Sequence, residues 1–197
     1  MVLLPGYGLP APAGADLRPE ALAELLLHLL PDRRVLLVGH SASCQVVAHA
    51  ARLAPGRVRA VLLVGPTTDP RADSWPRLAG RWLATATHEH PGEVPTLVRQ
   101  YRRTTLRTMA RAMDAARRDR IDRTVRATSC PRLVLRGRHD AICPPEWADE
   151  VAAAGGTGLG KARTLGAGAH MVPLTHGDLV AGALDGLLDQ TDRFPAV

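Results

Sequence analysis

Apolar positions along the chain follow two rhythms. Residues 35–38, 58–64 and 133–135 are short runs rich in Val and Leu, interrupted only at Arg59. They are too short for helices and read as strands buried on both faces. Between them apolar residues recur every three or four positions. Ala21, Leu22, Leu25, Leu26, Leu29 and Leu30 form one such helical face, opened by Pro19 and stopped at Pro31. After Gly39 the chain re-enters as a helix near Ala42 and runs to about Ala54, where Pro55 and Gly56 close it. That helix has little charge on any side, as expected beneath a sheet. Residues 2–8 read as a strand ending in a Gly-rich turn, and 9–17 as a loop. Near the other end, helices are expected over 145–154 and 178–188, a weak strand over 162–165 and a frayed tail over 191–197. Strands alternating with helices make a parallel α/β sheet with helices on both faces.

The rhythm changes between residues 66 and 128. No strand signal occurs there, only helical spacing broken at Pro76, Pro91-Gly92 and Pro95. This stretch is expected to be a helical lid inserted into a core made of residues 1–65 and 129–197. Leu97, Tyr101, Met109 and Met113 fall near one face of it, with Leu106 beside them.

Composition narrows the class. The chain has 197 residues, 46% hydrophobic and 22% charged, enough for one domain with a sizeable core. No run approaches the roughly 20 apolar residues of a membrane span, and the start lacks the basic flank of a secretory signal. Three cysteines give no disulfide framework, so Cys44, Cys130 and Cys143 are expected to be reduced and the protein cytoplasmic. The net charge of +6 is almost all arginine, with Lys161 the one lysine. That bias fits GC-rich coding better than nucleic-acid binding, because aromatic residues, at 3%, are too few to stack bases. Ten arginines fall between Arg99 and Arg126, against Asp114, Asp119 and Asp122. They form either a solvated helix face or a rim that attracts an anionic acyl substrate.

Chemistry concentrates at three strand ends. Gly39-His-Ser41-Ala-Ser43 sits where a strand turns sharply into a helix, a geometry that holds a serine hydroxyl clear of the sheet beside backbone N–H groups. Small residues are needed two positions either side, and Gly39 and Ser43 provide them. Asp140 follows the strand at 133–135, and His170 follows the next one. Ligand sites of open α/β sheets lie at those ends. The order Ser, Asp, His is that of a hydroxyl nucleophile, an orienting acid and a general base. Around these residues, Arg136-Gly-Arg-His-Asp140-Ala-Ile-Cys-Pro144 and Gly168-Ala-His170-Met-Val-Pro173 resemble the acid and base loops of the α/β-hydrolases. The resemblance covers essentially the whole chain. It implies an α/β-hydrolase fold and hydrolysis of an ester, thioester or related carbonyl compound. Ser41, Asp140 and His170 would be catalytic, with Ala42 N–H in the oxyanion hole and no cofactor or metal. His40, Trp82, Tyr101 and Met109 are the candidates for substrate contact, with a structural part favoured for His40. Acyl transfer, carbon–carbon bond hydrolysis and cofactor-free peroxidation use nearly the same triad, and a non-catalytic remnant or binding protein is the reading from another class.

Competing residues have simpler roles. Cys44 lies a turn into the helix and reads as a buried thiol; Asp69 is the alternative acid; His139 and His176 read as solvated or packing residues. His88 and His90 lack a third metal ligand at matching spacing. Measured against the family, the first three strands of the sheet are missing. Gly6, 35 residues before Ser41, matches the turn that ends the family's fourth strand. The expectation is therefore of a fragment or misplaced start that leaves the elbow strand without one neighbour and the oxyanion hole without one donor.

Overall fold

A computed structural model describes residues 1–155, 158 and 160–193. Its centre is a four-stranded, all-parallel sheet. Strands β3 (Val35–His40), β4 (Val58–Val64), β5 (Arg132–Arg136) and β6 (Gly160–Thr164) lie side by side in chain order. The two-residue alternation of β4 decides where the core sits. Val61 and Leu63 point to one face and join a cluster with helices α1 (Pro19–Leu29), α2 (Ser43–Leu53) and α7 (Pro145–Ala153). Ala60, Leu62 and Val64 point to the other face and meet α9 (Gly177–Arg193). All five of these β4 side chains are fully buried, each apolar side chain of Val or Leu size stabilising the fold by about 1.5–3 kcal/mol. Such two-sided burial is why the strand is apolar without a break from Ala60 to Val64. Helix α2 is likewise buried from Cys44 to Ala51.

Four helices fill the stretch between β4 and β5: α3 (Trp75–Ala86), α4 (Val94–Thr104), α5 (Leu106–Arg117) and α6 (Ile121–Arg126). The first three lie over the carboxyl ends of the strands. The last packs on α2, and its Ile121 and Val125 join the main core cluster.

The first residues form the expected strand and Gly-rich turn, but apart from the main sheet. Residues 2–8 add no strand to the sheet; instead β1 (Leu4–Pro5) pairs only with β2 (Gly8–Leu9). Gly6 and Gly8 have positive φ and fold the chain back, with Tyr7 N–H donating to Leu4 O at 2.8 Å. Pro5 has no N–H to offer a ladder. Among the described residues strand β3 is consequently an edge strand, and Val38 in its middle is 49% exposed. The last helix extends to Arg193 rather than ending near Leu188, and the expected frayed tail lies partly outside the described residues. Leu25 and Leu29 of the expected α1 core face are exposed, whereas Leu22, Ala23 and Leu26 are buried. Among the described residues no helix is long and apolar enough to cross a membrane.

Candidate active site

The strand-to-helix turn at Ser41 is tight enough to force this serine into a left-handed conformation, φ 56°. A non-glycine residue adopts this rarely and at a cost, which the surrounding turn must supply. Two neighbours supply it. A Cβ on Gly39 would lie 2.8 Å from Cys44 Cα and 2.9 Å from Ser43 O, so no side chain fits there. Ser43 closes the turn from the other side, accepting from His40 N–H at 2.8 Å and donating to His40 O at 2.8 Å. Ser43 is therefore a hydrogen-bonded clasp and not merely a tolerated small residue.

The three sequence candidates meet. Ser41 Oγ lies 2.8 Å from His170 Nε2, and His170 Nδ1 lies 3.0 Å from Asp140 Oδ2. His170 and Asp140 are each 1% exposed. The other carboxylate oxygen of Asp140 accepts Ile142 N–H at 2.9 Å and Cys143 N–H at 3.0 Å. Burial alone would raise the Asp140 pKa, but the facing imidazole, the Cys143 N–H and the Arg136 charge outweigh it and hold the group below its ordinary value. An ionised Asp140 can only accept. The shared hydrogen then belongs to His170 Nδ1, which leaves Nε2 free to accept from the Ser41 hydroxyl.

Close backbone packing holds the acid and base loops together. A Cβ on Gly137 would fall 2.2 Å from Ala169 O, so the two loops touch where only glycine fits. Arg136, buried at the end of β5, donates to Cys143 O at 2.6 Å and to Asp140 O at 2.8 Å and fixes the acid loop from below. His40 Nε2 lies 2.8 Å from His170 O, with ring centroids 5.1 Å apart. Burial, followed by the charge on the neighbouring imidazole, lowers its pKa to about 4. His40 is thus neutral near pH 7, and its ring props the base loop.

A cavity of about 220 Å³ opens over Ser41. Ala42 from the start of α2, Trp82 from α3, Tyr101 from α4 and Met109 from α5 all border it, as do Leu97 and Met113. Trp82 meets His170 edge-on, with centroids 5.9 Å apart. Leu106 does not border it and is 69% exposed. A larger hollow of about 750 Å³ lies between α1 and α5, away from the triad.

Residues 1–183 match the alpha/beta hydrolase family. The chain belongs to that family. Solved structures agree on the fold. A thermophilic esterase from Thermogutta terrifontis with malate bound is 24% identical, with 95% of this chain and 78% of that one aligned at a TM-score of 0.67. A hydrolase from Pseudomonas aeruginosa PA01 gives 22% identity, 87% and 72% coverage and 0.66. MenH from S. aureus gives 16%, 96% and 82% coverage and 0.71. No functionally curated protein matches the sequence.

In this member of the family the competing sequence candidates are otherwise engaged. Asp69 caps the short 3₁₀ turn Pro70–Ala72 and binds Arg71 at 2.8 Å and Arg81 at 2.7 Å. Cys44 is fully buried, which pushes its thiol pKa far up. The three cysteines are free and buried. His88 stacks on His139, centroids 4.5 Å apart, while His90 turns to Gly92 N–H. His176 contacts Thr175 Oγ1 at 2.9 Å.

Several contributors lay beyond sequence reasoning. Glu89 reaches from the helical insertion to accept Met171 N–H at 2.9 Å, next to the base. Burial raises its pKa, that N–H partly offsets the rise, and Glu93 nearby adds to it. Thr68, with φ 72°, borders the cavity and accepts from Gln45 Nε2 at 2.8 Å. Only the presence of a charged or amide side chain inside an otherwise apolar pattern, as at Gln45 and Arg136, hints at such roles in the sequence.

Proposed function

We propose that this hydrolase cleaves a small ester, thioester or related carbonyl substrate through an acyl-enzyme on Ser41. The observation that carries this reading is the continuous relay from Ser41 Oγ through His170 to a buried, ionised Asp140, at the floor of a mainly apolar cavity. Ser41 Oγ attacks the carbonyl carbon as its proton passes to His170 Nε2, and the carbonyl oxygen becomes an oxyanion. Asp140 steadies the imidazolium through Nδ1–H. Ala42 N–H, at the start of α2, is the donor assigned to the oxyanion. His170 then gives its proton to the leaving alkoxide or thiolate, and the acyl group stays on Ser41. Water enters, loses a proton to His170 Nε2 and releases the acid as Ser41 recovers its own proton. No cofactor takes part in this chemistry. Helices α3 to α5 act as a lid that gives the acyl chain an apolar wall.

The test is a stopped-flow assay with 4-nitrophenyl esters of graded chain length. The expected result is a burst of nitrophenolate close to one equivalent per chain, with the matching acyl mass on the peptide containing Ser41. Turnover without any acyl adduct on Ser41, under conditions that trap it, contradicts the mechanism.

A further inference from the structure

Helix α3 meets the catalytic loops mainly through polar bonds. Of its twelve residues only Thr85 is buried, while Leu83 is 72% exposed. Contacts from α3 and the turn after it end on the acid and base loops instead. Thr85 Oγ1 accepts Ala141 N–H at 3.1 Å, and Arg81 Nη1 donates to Ile142 O at 3.4 Å, both just past Asp140. His88 stacks on His139, just before it. Glu89 Oε1 accepts Met171 N–H at 2.9 Å, just past His170. Arg81, Thr85 and Glu89 are each four residues apart, so one side of this segment reaches from the acid loop to the base loop.

The Glu89 bond falls on a group that steers the base. Met171 N–H and His170 C=O belong to one peptide plane. His40 Nε2 donates to that carbonyl at 2.8 Å from the nucleophile strand, and Glu89 holds the N–H from the helical insertion. A planar group bound at both ends resists turning, and its orientation sets ψ of His170 and hence the direction of the imidazole. The acid loop is held in a similar way. Asp140 Oδ1 accepts Ile142 N–H and Cys143 N–H, so the path of residues 141–143 decides where the carboxylate points. Arg136 binds the carbonyls of Asp140 and Cys143, while Thr85 and Arg81 bind Ala141 N–H and Ile142 O.

We infer that Glu89 and Thr85 are positioning residues of the relay, holding the base and acid loops where Ser41, His170 and Asp140 stay within hydrogen-bond reach. The inference rests on the acyl-hydrolase reading above. Neither residue borders the cavity, so each acts on the rate through His170 and Asp140 and not on the fit of the substrate.

Two arms test it, and they fail separately. The first is steady-state kinetics on 4-nitrophenyl acetate. Glu89→Ala should lower kcat by about 10–100-fold and change KM by less than about threefold, since a displacement near 1 Å at the reacting groups costs on that order. Glu89→Gln keeps an acceptor oxygen for Met171 N–H and should recover most of the rate. Thr85→Val and Thr85→Ser form a parallel pair, with loss in the first and recovery in the second, and they decide the matter if melting curves show that Glu89→Ala does not fold. A loss carried by KM alone, an unchanged kcat, or no recovery in Glu89→Gln and Thr85→Ser overturns the inference. The second arm needs no turnover. The Nδ1 proton that His170 shares with Asp140 gives a far-downfield proton NMR signal, assigned by its loss in His170→Ala. It should persist in Glu89→Gln and be lost to exchange in Glu89→Ala. Its absence from the unaltered chain, or its persistence unchanged in Glu89→Ala, contradicts the inference. A chain without turnover that shows the expected NMR pattern removes the hydrolase reading and leaves Glu89 as the residue that positions His170.

Discussion

Ser41 and Ser43 differ by two positions and by how much of their role a sequence discloses. The requirement for small residues around the elbow is steric, so Gly39 and Ser43 could be picked out from size and spacing. The paired hydrogen bonds between Ser43 and His40 could not, because a serine standing for glycine has the same small volume whether or not its hydroxyl is used. Ser43→Ala keeps that volume and removes both bonds. It should cost about 1–3 kcal/mol in denaturant unfolding and loosen the nucleophile. His40 adds a pH dependence with a definite sign. Its folded pKa of about 4 lies below the ordinary 6.5, so the unfolded chain takes up the proton first. Its contribution is complete above pH 6.5, declines as pH falls toward 4 and is flat below. The loss is at most about 3 kcal/mol. His40→Asn should flatten that part of the stability curve, as read from urea midpoints across the range. A curve unchanged by the substitution contradicts the assignment.

Among elements, the strands were the most legible. Residues 60–64 of β4 and 133–135 of β5 are continuous apolar runs because both faces of the sheet are covered, so periodicity and burial say the same thing. The first residues form a strand and a Gly-rich turn, as expected, but the strand joins no larger sheet. Residues 2–5 look like a strand, but strand pairing depends on a neighbour in space, and the positive φ angles of Gly6 and Gly8 return the chain to itself. The helices over the site were legible as helices and as a cavity wall, since Leu97 and Tyr101 on α4, and Met109 and Met113 on α5, are each four residues apart and all border the cavity. Their reach was not. Glu89 touching Met171 depends on how the helices sit on the core, which no local spacing encodes. The contact between acid and base loops yields a prediction at this scale. Gly137→Ala places a Cβ 2.2 Å from Ala169 O and 2.7 Å from Gly168 O, and backbone must move to make room. Overpacking of this kind costs about 1–3 kcal/mol. Because it separates Asp140 from His170, kcat should fall by more than KM rises, as steady-state kinetics on the folded variant would show.

Taken as a whole, the molecule joins a fully covered sheet interior to an open edge at β3. Val38, 49% exposed, places an apolar side chain on a strand that has one hydrogen-bonded neighbour. Edges of that kind pair with other chains unless charge or proline blunts them. Light scattering should therefore show mass rising with concentration, and Val38→Lys should lower it without changing the melting temperature by more than a few degrees. A strictly constant monomer mass for the unaltered chain contradicts this. The same edge explains why the triad could still be located from sequence. Ser41, Asp140 and His170 hang from the carboxyl ends of β3, β5 and β6, and the parallel order of those strands fixes their spacing whatever lies beyond β3. The central claim, a serine activated by that relay, is tested most directly by reaction with a fluorophosphonate, which modifies an activated serine irrespective of the natural substrate. Intact and peptide mass spectrometry should show one adduct, on Ser41. It should vanish in Ser41→Ala and form slower by about 10⁴-fold in His170→Ala. A folded chain that takes no label, or takes it on another residue, contradicts the claim.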